Sequence, residues 1–393
     1  MSRVSMLALG STAFLVCVSL LHGLLNLGWD APRSRPELTV GHLPVTCHLT
    51  CPITSWATGH SASGTDFLSK RYTNFPAMVE DVQAGNLDAA FILAPLAMVL
   101  AREGSKPVKI VHLGHRDGTA LVVRTDSPFR TFEDLKGKRI AIPHRYSNQR
   151  ILIERLMDGA GMREGDVTLI DFPPPEMPTA LKAGLFEAYI VGEPHAAKAE
   201  LDGFGRVLYL TKDIWPHFIS CVLVVTQDLI ETRPELVQEL VGSIAASGKW
   251  IDEGPSDRLM EGIFVEGESE LPTRLVGLED SRSRERILVL EQDAGRSPRV
   301  QAARIGGLFY GQPSELLEYV LSKPPDRVTY TDLSLRREDF EEIQSYAERL
   351  GFFAKRPVTA ADPFDFEDYC DDRFEQTITK SVPLRGDPDH ASR

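Results

Sequence analysis

Polar side chains that could hold a small ligand cluster in one loop near the middle of the chain. The loop 144–149 follows an apolar segment, Arg139–Ile142, and begins an amphipathic helix predicted over 147–158. Because the first N–H groups of a helix have no partner within it, such a loop attracts an anion or a polar oxygen. An ordinary N-cap by Ser147 is the structural alternative. We expect four residues of this loop to contact a ligand: Arg145, Ser147, Asn148 and Gln149.

A second candidate site is the loop 46–51, with the sequence TCHLTC, which follows a predicted strand at 38–43. Cys47 and Cys51 are candidates for a disulfide if the chain is exported, and unpaired thiols are the alternative. Metal binding together with His48 and His60 is a further alternative, although zinc sites usually have closer cysteine pairs and four ligands. We therefore predict no metal site and no cofactor.

Motifs of common enzyme classes are missing from the sequence. We find no G-x-S-x-G, no P-loop, no G-x-G-x-x-G opening a sheet and no H-E-x-x-H. The sequence therefore predicts no catalytic residues and favours a binding protein over an enzyme.

Length and charge restrict the architecture and the partners. The chain has 393 residues, which suits two lobes better than one ordinary domain. Its formal net charge of -13 disfavours nucleic acid, because a phosphate backbone needs a basic surface. A small anion stays compatible with this charge, because the local field in a cleft can oppose the global one.

The N-terminal segment is apolar enough to enter a membrane. Residues 4–27 contain no Asp, Glu, Lys or Arg and follow Arg3, which favours an N-terminus on the inner side. We predict an uncleaved membrane anchor over 1–30, with a cleaved signal peptide as the alternative. The polar tail 383–393 is predicted to be disordered.

The order of elements predicts an α/β fold. Short apolar runs alternate with helix-length amphipathic segments: strands are predicted at Arg139–Ile142, 167–170 and 188–191, and helices at 147–158 and 176–183. In open α/β sheets, the loops at the carboxyl ends of strands form the ligand crevice. The loop 144–149 occupies such a position.

Three stretches also carry a family resemblance. They are SPFRTFEDLKGKRIAIP at 127–143, VGEP at 191–194 and DYCDDRFEQ at 368–376. From about Leu38 to Asp372, the chain resembles the substrate-binding proteins of ABC importers of the nitrate/taurine/alkanesulfonate type. The resemblance implies a two-lobed periplasmic-binding-protein type II fold, with mixed sheets and flanking helices. It implies a first lobe of 37–118 and 222–380, the latter including C-terminal helices, and a second lobe of 119–221.

The resemblance also implies a function and further site residues. We expect the extracytoplasmic solute-binding component of an ABC transporter, which captures a small polar or anionic ligand between its lobes. Its partners would be permease and ATPase subunits, and we expect a monomer in the periplasm, tethered to the inner membrane. Beyond the loop 144–149, the resemblance places three further segments at the ligand, and their candidate residues are Thr46, His48, Pro95 and Glu193.

The loop 46–51 departs from the resembling family, in which small apolar residues stand where this chain has two cysteines and a histidine. This departure leaves the ligand open among nitrate, bicarbonate, sulfonates and thiamine precursors. It also keeps three alternatives open: a membrane-tethered ligand sensor, an enzyme like the pyrimidine-precursor synthases, and a redox module using Cys47 and Cys51.

Overall fold

The computed structural model describes residues 35–60, 64–253 and 296–375. The predicted anchor at 1–30 and the predicted disordered tail at 383–393 lie outside these ranges and stay predictions. Across the three described ranges, no helix is both long and apolar enough to cross a membrane.

The first of two mixed sheets has five strands. These strands are β1 (Glu37–His42), β2 (Asp66–Arg71), β3 (Ala89–Leu93), β4 (Val108–Leu113) and β11 (Cys221–Thr226). Their spatial order is β2-β1-β3-β11-β4, with β1 parallel to β2 and β3, and β11 antiparallel to β3 and β4. Every residue of β3 and β11 is buried, as expected for strands covered on both faces.

The second sheet also has five strands, and all of them come after β4 and before β11 in the sequence. Its strands are β6 (Thr119–Arg124), β7 (Arg139–Ile142), β8 (Thr168–Asp171), β9 (Ala188–Gly192) and β10 (Gly205–Leu210). In the order β10-β6-β9-β7-β8, β7 is parallel to β8 and β9, whereas β6 is antiparallel to β9 and β10. A two-stranded ribbon of β5 (Arg116–Asp117) and β12 (Val328–Thr329) lies where the chain passes from one sheet to the other.

Helices connect the strands and cover the sheets. Their bounds are α1 Thr50–His60, α2 Phe75–Ala84, α3 Ala94–Glu103, α4 Asn148–Gly159, α5 Met177–Lys182, α6 His195–Leu201, α7 Thr211–Ile214, α8 Gln227–Thr232, α9 Pro234–Glu253, α10 Pro298–Tyr310, α11 Ser314–Ser322, α12 Arg337–Arg349 and α13 Phe366–Tyr369. The sheets and helices together form a mixed α/β structure with flanking helices, as the sequence predicts.

Two helices differ from expectation. The helix predicted over 176–183 is a 3-10 turn, Pro174–Glu176, followed by α5, because Pro178 is suited to the first turn of a helix. Helix α10 is not predicted from the sequence, since Gly306 and Gly307 weaken its helical propensity. Packing explains the first of these glycines: a Cβ at Gly306 would lie 2.5 Å from a methyl carbon of Leu49.

Arg116 ties the chain crossing to the C-terminal segment. Its guanidinium is buried and donates to the carbonyls of Asp332 at 2.7 Å and His217 at 2.9 Å. It also pairs with the Asp339 carboxylate at 2.9 Å. A buried cation with several oxygen partners is stable only while they all stay in place. The segment 296–375 is therefore part of the fold's support, not an appendage.

We expect Arg116→Met, which keeps the length of the side chain but removes the guanidinium, to lower the free energy of unfolding by about 3–5 kcal/mol. Urea unfolding of the purified chain measures this loss. The matched control is Arg336→Met, because Arg336 forms a half-exposed pair with Asp332 and its loss should cost about 0.5 kcal/mol or less. Equal effects of the two substitutions would contradict the role of Arg116.

Candidate functional site

Four segments at the carboxyl ends of strands come into contact between the two sheets, along a surface that we call the seam. Thr46 lies in a 3-10 turn after β1, Ala94 begins α3, Asn148 begins α4, and Glu193 follows β9. Thr46 donates to the Glu193 carbonyl from its N–H at 2.7 Å and from its hydroxyl at 3.1 Å. The Ala94 N–H donates to Asn148 Oδ1 at 3.2 Å, which places Pro95, in the first turn of α3, beside the seam.

The start of α4 presents buried polar side chains. Ser147 is fully buried and caps the helix, because its hydroxyl accepts a hydrogen bond from Arg150 N at 3.0 Å. Gln149 is also buried, and its amide nitrogen donates to Thr119 Oγ1 at 3.1 Å. Within the described residues, Gln149 Oε1 has no hydrogen-bond partner. Burying such an oxygen is costly unless a polar group meets it.

Arg145 does not share this burial. Its side chain is exposed and stacks on the Tyr146 ring, with 4.7 Å between guanidinium carbon and ring centroid. Its backbone N–H donates to the Asp171 carboxylate at 3.2 Å. The structure thus brings three of the four loop candidates to the seam and leaves the positive charge at the surface.

Glu193 is held on both of its carboxylate oxygens. Oε1 accepts from Arg327 Nε at 2.6 Å, and Oε2 accepts from Ala197 N at 2.9 Å, in the first turn of α6. Arg327 also pairs with Glu200 at 2.7 Å. Burial raises the pKa of the Glu193 carboxyl, and the charge of Arg327 opposes that rise. Both oxygens are occupied, so in this arrangement the side chain braces the seam.

His48 is buried and neutral. Its Nδ1 accepts a hydrogen bond from Leu43 N at 2.8 Å, so the ring proton lies on Nε2, which meets no partner in the described part of the chain. Burial lowers the pKa of His48 well below its usual value, and the neighbouring His42 and His115 lower it further. The ring is therefore a hydrogen-bond donor directed into the interior.

The predicted pairing of Cys47 with Cys51 is corrected by the structure, in which both thiols are free and buried. The two side chains point to different surroundings: Cys47 Sγ lies 3.6 Å from Ser220 Oγ, whereas Cys51 Sγ donates to the Val40 carbonyl at 3.8 Å. The turn that carries Cys47 precedes α1, whereas Cys51 lies within that helix. The described ranges also contain no group of three or more His, Cys, Asp or Glu residues arranged to hold a metal.

Several residues at the seam were not singled out from the sequence. His115, Ser220 and Cys221 come to lie around Cys47. Their positions directly before or after predicted strands were a usable signal, because strand ends form the crevice of such folds. The sequence does not show which strand ends come into contact, because these residues lie far apart in the chain.

A family model described as the NMT1-like family matches residues 31–261, which is more than half of the chain. The chain belongs to the NMT1-like family. The match includes β1 to β11 and therefore every residue of the seam named above except Arg327.

This NMT1-like chain is similar to proteins of solute import. The nitrate import ATP-binding protein NrtC of Synechococcus elongatus is 28% identical over 207 residues, covering 48% of this chain and 31% of that protein. The taurine-binding periplasmic protein of Escherichia coli is 28% identical over 165 residues, covering 42% and 49%. The chain thus spans less than half of the length of either relative.

The fold of the NMT1-like chain has solved counterparts. The periplasmic nitrate-binding protein NrtA from Synechocystis PCC 6803 superposes with a TM-score of 0.69 at 12% identity, over 89% of this chain and 90% of that one. The predicted fold class and the resemblance to nitrate- and taurine-type binding proteins are thereby confirmed.

The buried His42, at the end of β1, makes the stability of the fold depend on pH. Burial and the charge of Arg71 lower the pKa of His42 to about 3, so the folded chain holds it neutral while the unfolded chain protonates it near pH 6.5. Its contribution to stability is therefore complete above pH 6.5 and is lost as the pH falls towards 3, at about 1.4 kcal/mol per pH unit. When the pH falls from 6.5 to 5, the free energy of unfolding should fall by about 2 kcal/mol less in His42→Gln than in the parent chain.

Urea unfolding at pH 7.5, 6.5 and 5.0 measures this difference. The control is His217→Asn, because His217 is exposed and asparagine tolerates its positive φ of 61°. The control should follow the parent at each pH. A His42→Gln variant with the same pH slope as the parent would contradict this account.

Proposed function

We propose that this chain is the extracytoplasmic solute-binding component of an ABC importer and captures a small polar or anionic ligand at the seam. Family membership and the names of the similar proteins support this. The contacts of the seam support it independently, because they join strand ends of two different sheets, where ligands of open α/β sheets bind.

The proposed lobes follow the sheets. The first lobe would comprise 37–118 and 222–380, and the second 119–221. All strands of the first five-stranded sheet fall in the first proposed lobe, and all strands of the second sheet in the other. The chain crosses between them at the ribbon of β5 and β12, where Asp117 and Gly118 have positive φ values of 62° and 68°. Hinge motion at such a crossing would open the seam.

The observation that carries the proposal is the set of buried polar groups at the seam that lack partners in the described residues. Gln149 Oε1 and His48 Nε2 are such atoms, and each residue follows a different strand. An amide such as Gln149 can present its oxygen or its nitrogen by rotation, so it can serve a ligand acceptor or donor. A compact ligand with several oxygens would meet these groups together with the first N–H groups of α4.

Each predicted site residue receives a role in this proposal. Thr46, His48, Pro95, Ser147, Asn148 and Gln149 line the ligand site or position its walls, and Glu193 braces the second lobe. Arg145 contributes positive charge at the surface, where it would attract an anion rather than bind it in the closed seam.

The transport partners and the location are parts of the same proposal. A permease and an ATPase would receive the ligand, since one similar protein is itself a nitrate import ATP-binding protein. We place the chain in the periplasm as a monomer, tethered by its N-terminal segment, and acting without catalysis. A membrane-tethered sensor would use the same seam but would need no permease.

Calorimetric titration with nitrate, bicarbonate, taurine and short alkanesulfonates tests the proposal. We expect one of these ligands to bind, and Gln149→Ala to weaken its binding by about 1.5–3 kcal/mol, the cost of a lost hydrogen bond to a charged group. Arg145→Ala should weaken binding less than Gln149→Ala does, because Arg145 is exposed.

Gln227→Ala is the matched control, because the Gln227 amide pairs with Glu231 on the exposed side of α8. It should bind like the parent. No binding of any member of the panel, or unchanged affinity in Gln149→Ala, would contradict the proposed site. Ser147→Ala separates folding from binding, since loss of the cap should cost about 1 kcal/mol of stability.

A further inference from the structure

Two thiols and an imidazole meet at the seam, from three separate parts of the first sheet. Cys47 lies in the turn after β1, His115 follows β4, and Cys221 is the first residue of β11. The thiol of Cys47 neighbours that of Cys221, and Cys47 Sγ lies 3.6 Å from Ser220 Oγ. Gly114 permits this approach, because a Cβ there would lie 2.5 Å from the Cys47 carbonyl oxygen and 3.0 Å from that of Cys221.

His115 lies beside Cys47. Its Nδ1 donates to the Arg116 carbonyl at 3.0 Å, which fixes the ring and leaves Nε2 uncommitted. The ring is fully buried, and Nε2 has no nitrogen or oxygen partner in the described part of the chain. With Nδ1 committed as a donor, Nε2 of the neutral ring is an acceptor that can take the thiol proton.

The two thiols are electrostatically different. Burial raises the pKa of Cys47, but hydrogen bonding from Cys221 and the charge of His115 outweigh it, so the pKa lies well below its usual value. Burial and the neighbouring Cys47 raise the pKa of Cys221 well above its usual value. Cys47 is therefore the more acidic thiol of the pair and the one suited to attack a disulfide. The other titratable groups near this pair are Asp117, His48, Tyr310 and Tyr330.

The second sheet covers the thiolate. Gly192, the last residue of β9, approaches so closely that a Cβ there would lie 3.0 Å from Cys47 Sγ. Both cysteines are buried in this arrangement. Separation of the strand ends at the seam would uncover Cys47 first on the side of β9. A reaction partner would therefore enter by the same route as a ligand.

We propose that Cys47 and Cys221 form a redox-active dithiol at the seam, which reduces small organic disulfides with His115 as the proton donor. The pair expected from the sequence, Cys47 and Cys51 of one loop, is replaced here by Cys47 and Cys221, which lie far apart in the chain. Cys51 and Cys370 are not part of the site. Burial raises the pKa of the Cys51 thiol, and burial together with the charge of Glu375 raises that of Cys370.

The reaction balances in two steps. The Cys47 thiolate attacks one sulfur of the disulfide RS–SR, the S–S bond breaks, and the first RS⁻ leaves with the proton that His115 holds. Cys221 then attacks the sulfur of Cys47 in the mixed disulfide, and the second RS⁻ leaves with the proton of Cys221. The two electrons of the dithiol reduce RS–SR to two RSH, and a Cys47–Cys221 disulfide is formed.

The test uses the full chain with Cys17→Ser, Cys51→Ser and Cys370→Ser, so that only the two proposed thiols remain. A nitrobenzoate disulfide, whose released thiolate is coloured, serves as the probe. We expect two coloured thiolates per chain and a linked Cys47–Cys221 peptide by mass spectrometry. The additional change Cys221→Ser should give one coloured thiolate and a stable adduct on Cys47.

The role of His115 is tested by the pH profile of this reaction. In His115→Gln, the rate at pH 6 should fall roughly ten-fold or more, because a thiol without its basic partner is protonated there. At pH 9 the rates of the two chains should converge. A uniform reduction at every pH would indicate a structural role only and would overturn the assignment of His115.

Two outcomes overturn the dithiol. One is a single coloured thiolate with a stable adduct in the chain that keeps both cysteines. The other is no reaction in the native chain while the same chain reacts fully in urea. Peptide mapping of the unaltered chain after oxidation decides the question even if the serine variants fold poorly, because a missing Cys47–Cys221 link there also contradicts the proposal.

Discussion

Glu193 joins the two sheets, and the rest of the seam depends on how it is held. Its backbone carbonyl accepts two hydrogen bonds from Thr46, which lies in the turn after β1 of the first sheet. Its buried carboxylate accepts a hydrogen bond from Arg327 Nε at 2.6 Å. A buried carboxylate without a cation costs several kcal/mol. The fold therefore requires the segment that carries Arg327, and this requirement explains why residues so late in the chain pack at a site formed by earlier strands.

The position of Arg327 beside the chain crossing reconciles this rigidity with opening of the seam. Gly118 N donates to the Arg327 carbonyl at 2.9 Å, and Glu193 N donates to the Gly118 carbonyl at 2.9 Å. The ion pair thus sits next to the ribbon about which the proposed lobes would move. In the proposed motion, the Glu193–Arg327 pair stays closed, and the hydrogen bonds between Thr46 and Glu193 break. The proposed ligand and the proposed disulfide substrate would both enter through that break.

The sequence predicts the elements better than their contacts. The runs 140–142 and 221–225 are apolar and buried, and such runs predict strands directly. Ser147 is recognisable as a cap because capping depends on local geometry. The partner of Cys47 was not predictable, because Cys221 reaches it only through the pairing of β11 with β3 and β4. The exposure of Arg145 likewise depends on Tyr146 and Asp171, which the loop sequence does not position by itself.

Amide hydrogen exchange at Thr46 tests most directly whether the seam opens. The Thr46 N–H donates across the seam to Glu193, whereas the Leu43 N–H donates to His48 within the same loop, at 2.8 Å. We predict that Thr46 exchanges markedly faster than Leu43 in the ligand-free chain, and that a bound ligand slows Thr46 alone. Equal, slow exchange at both amides, unchanged by any ligand that calorimetry detects, would contradict a seam that opens to bind.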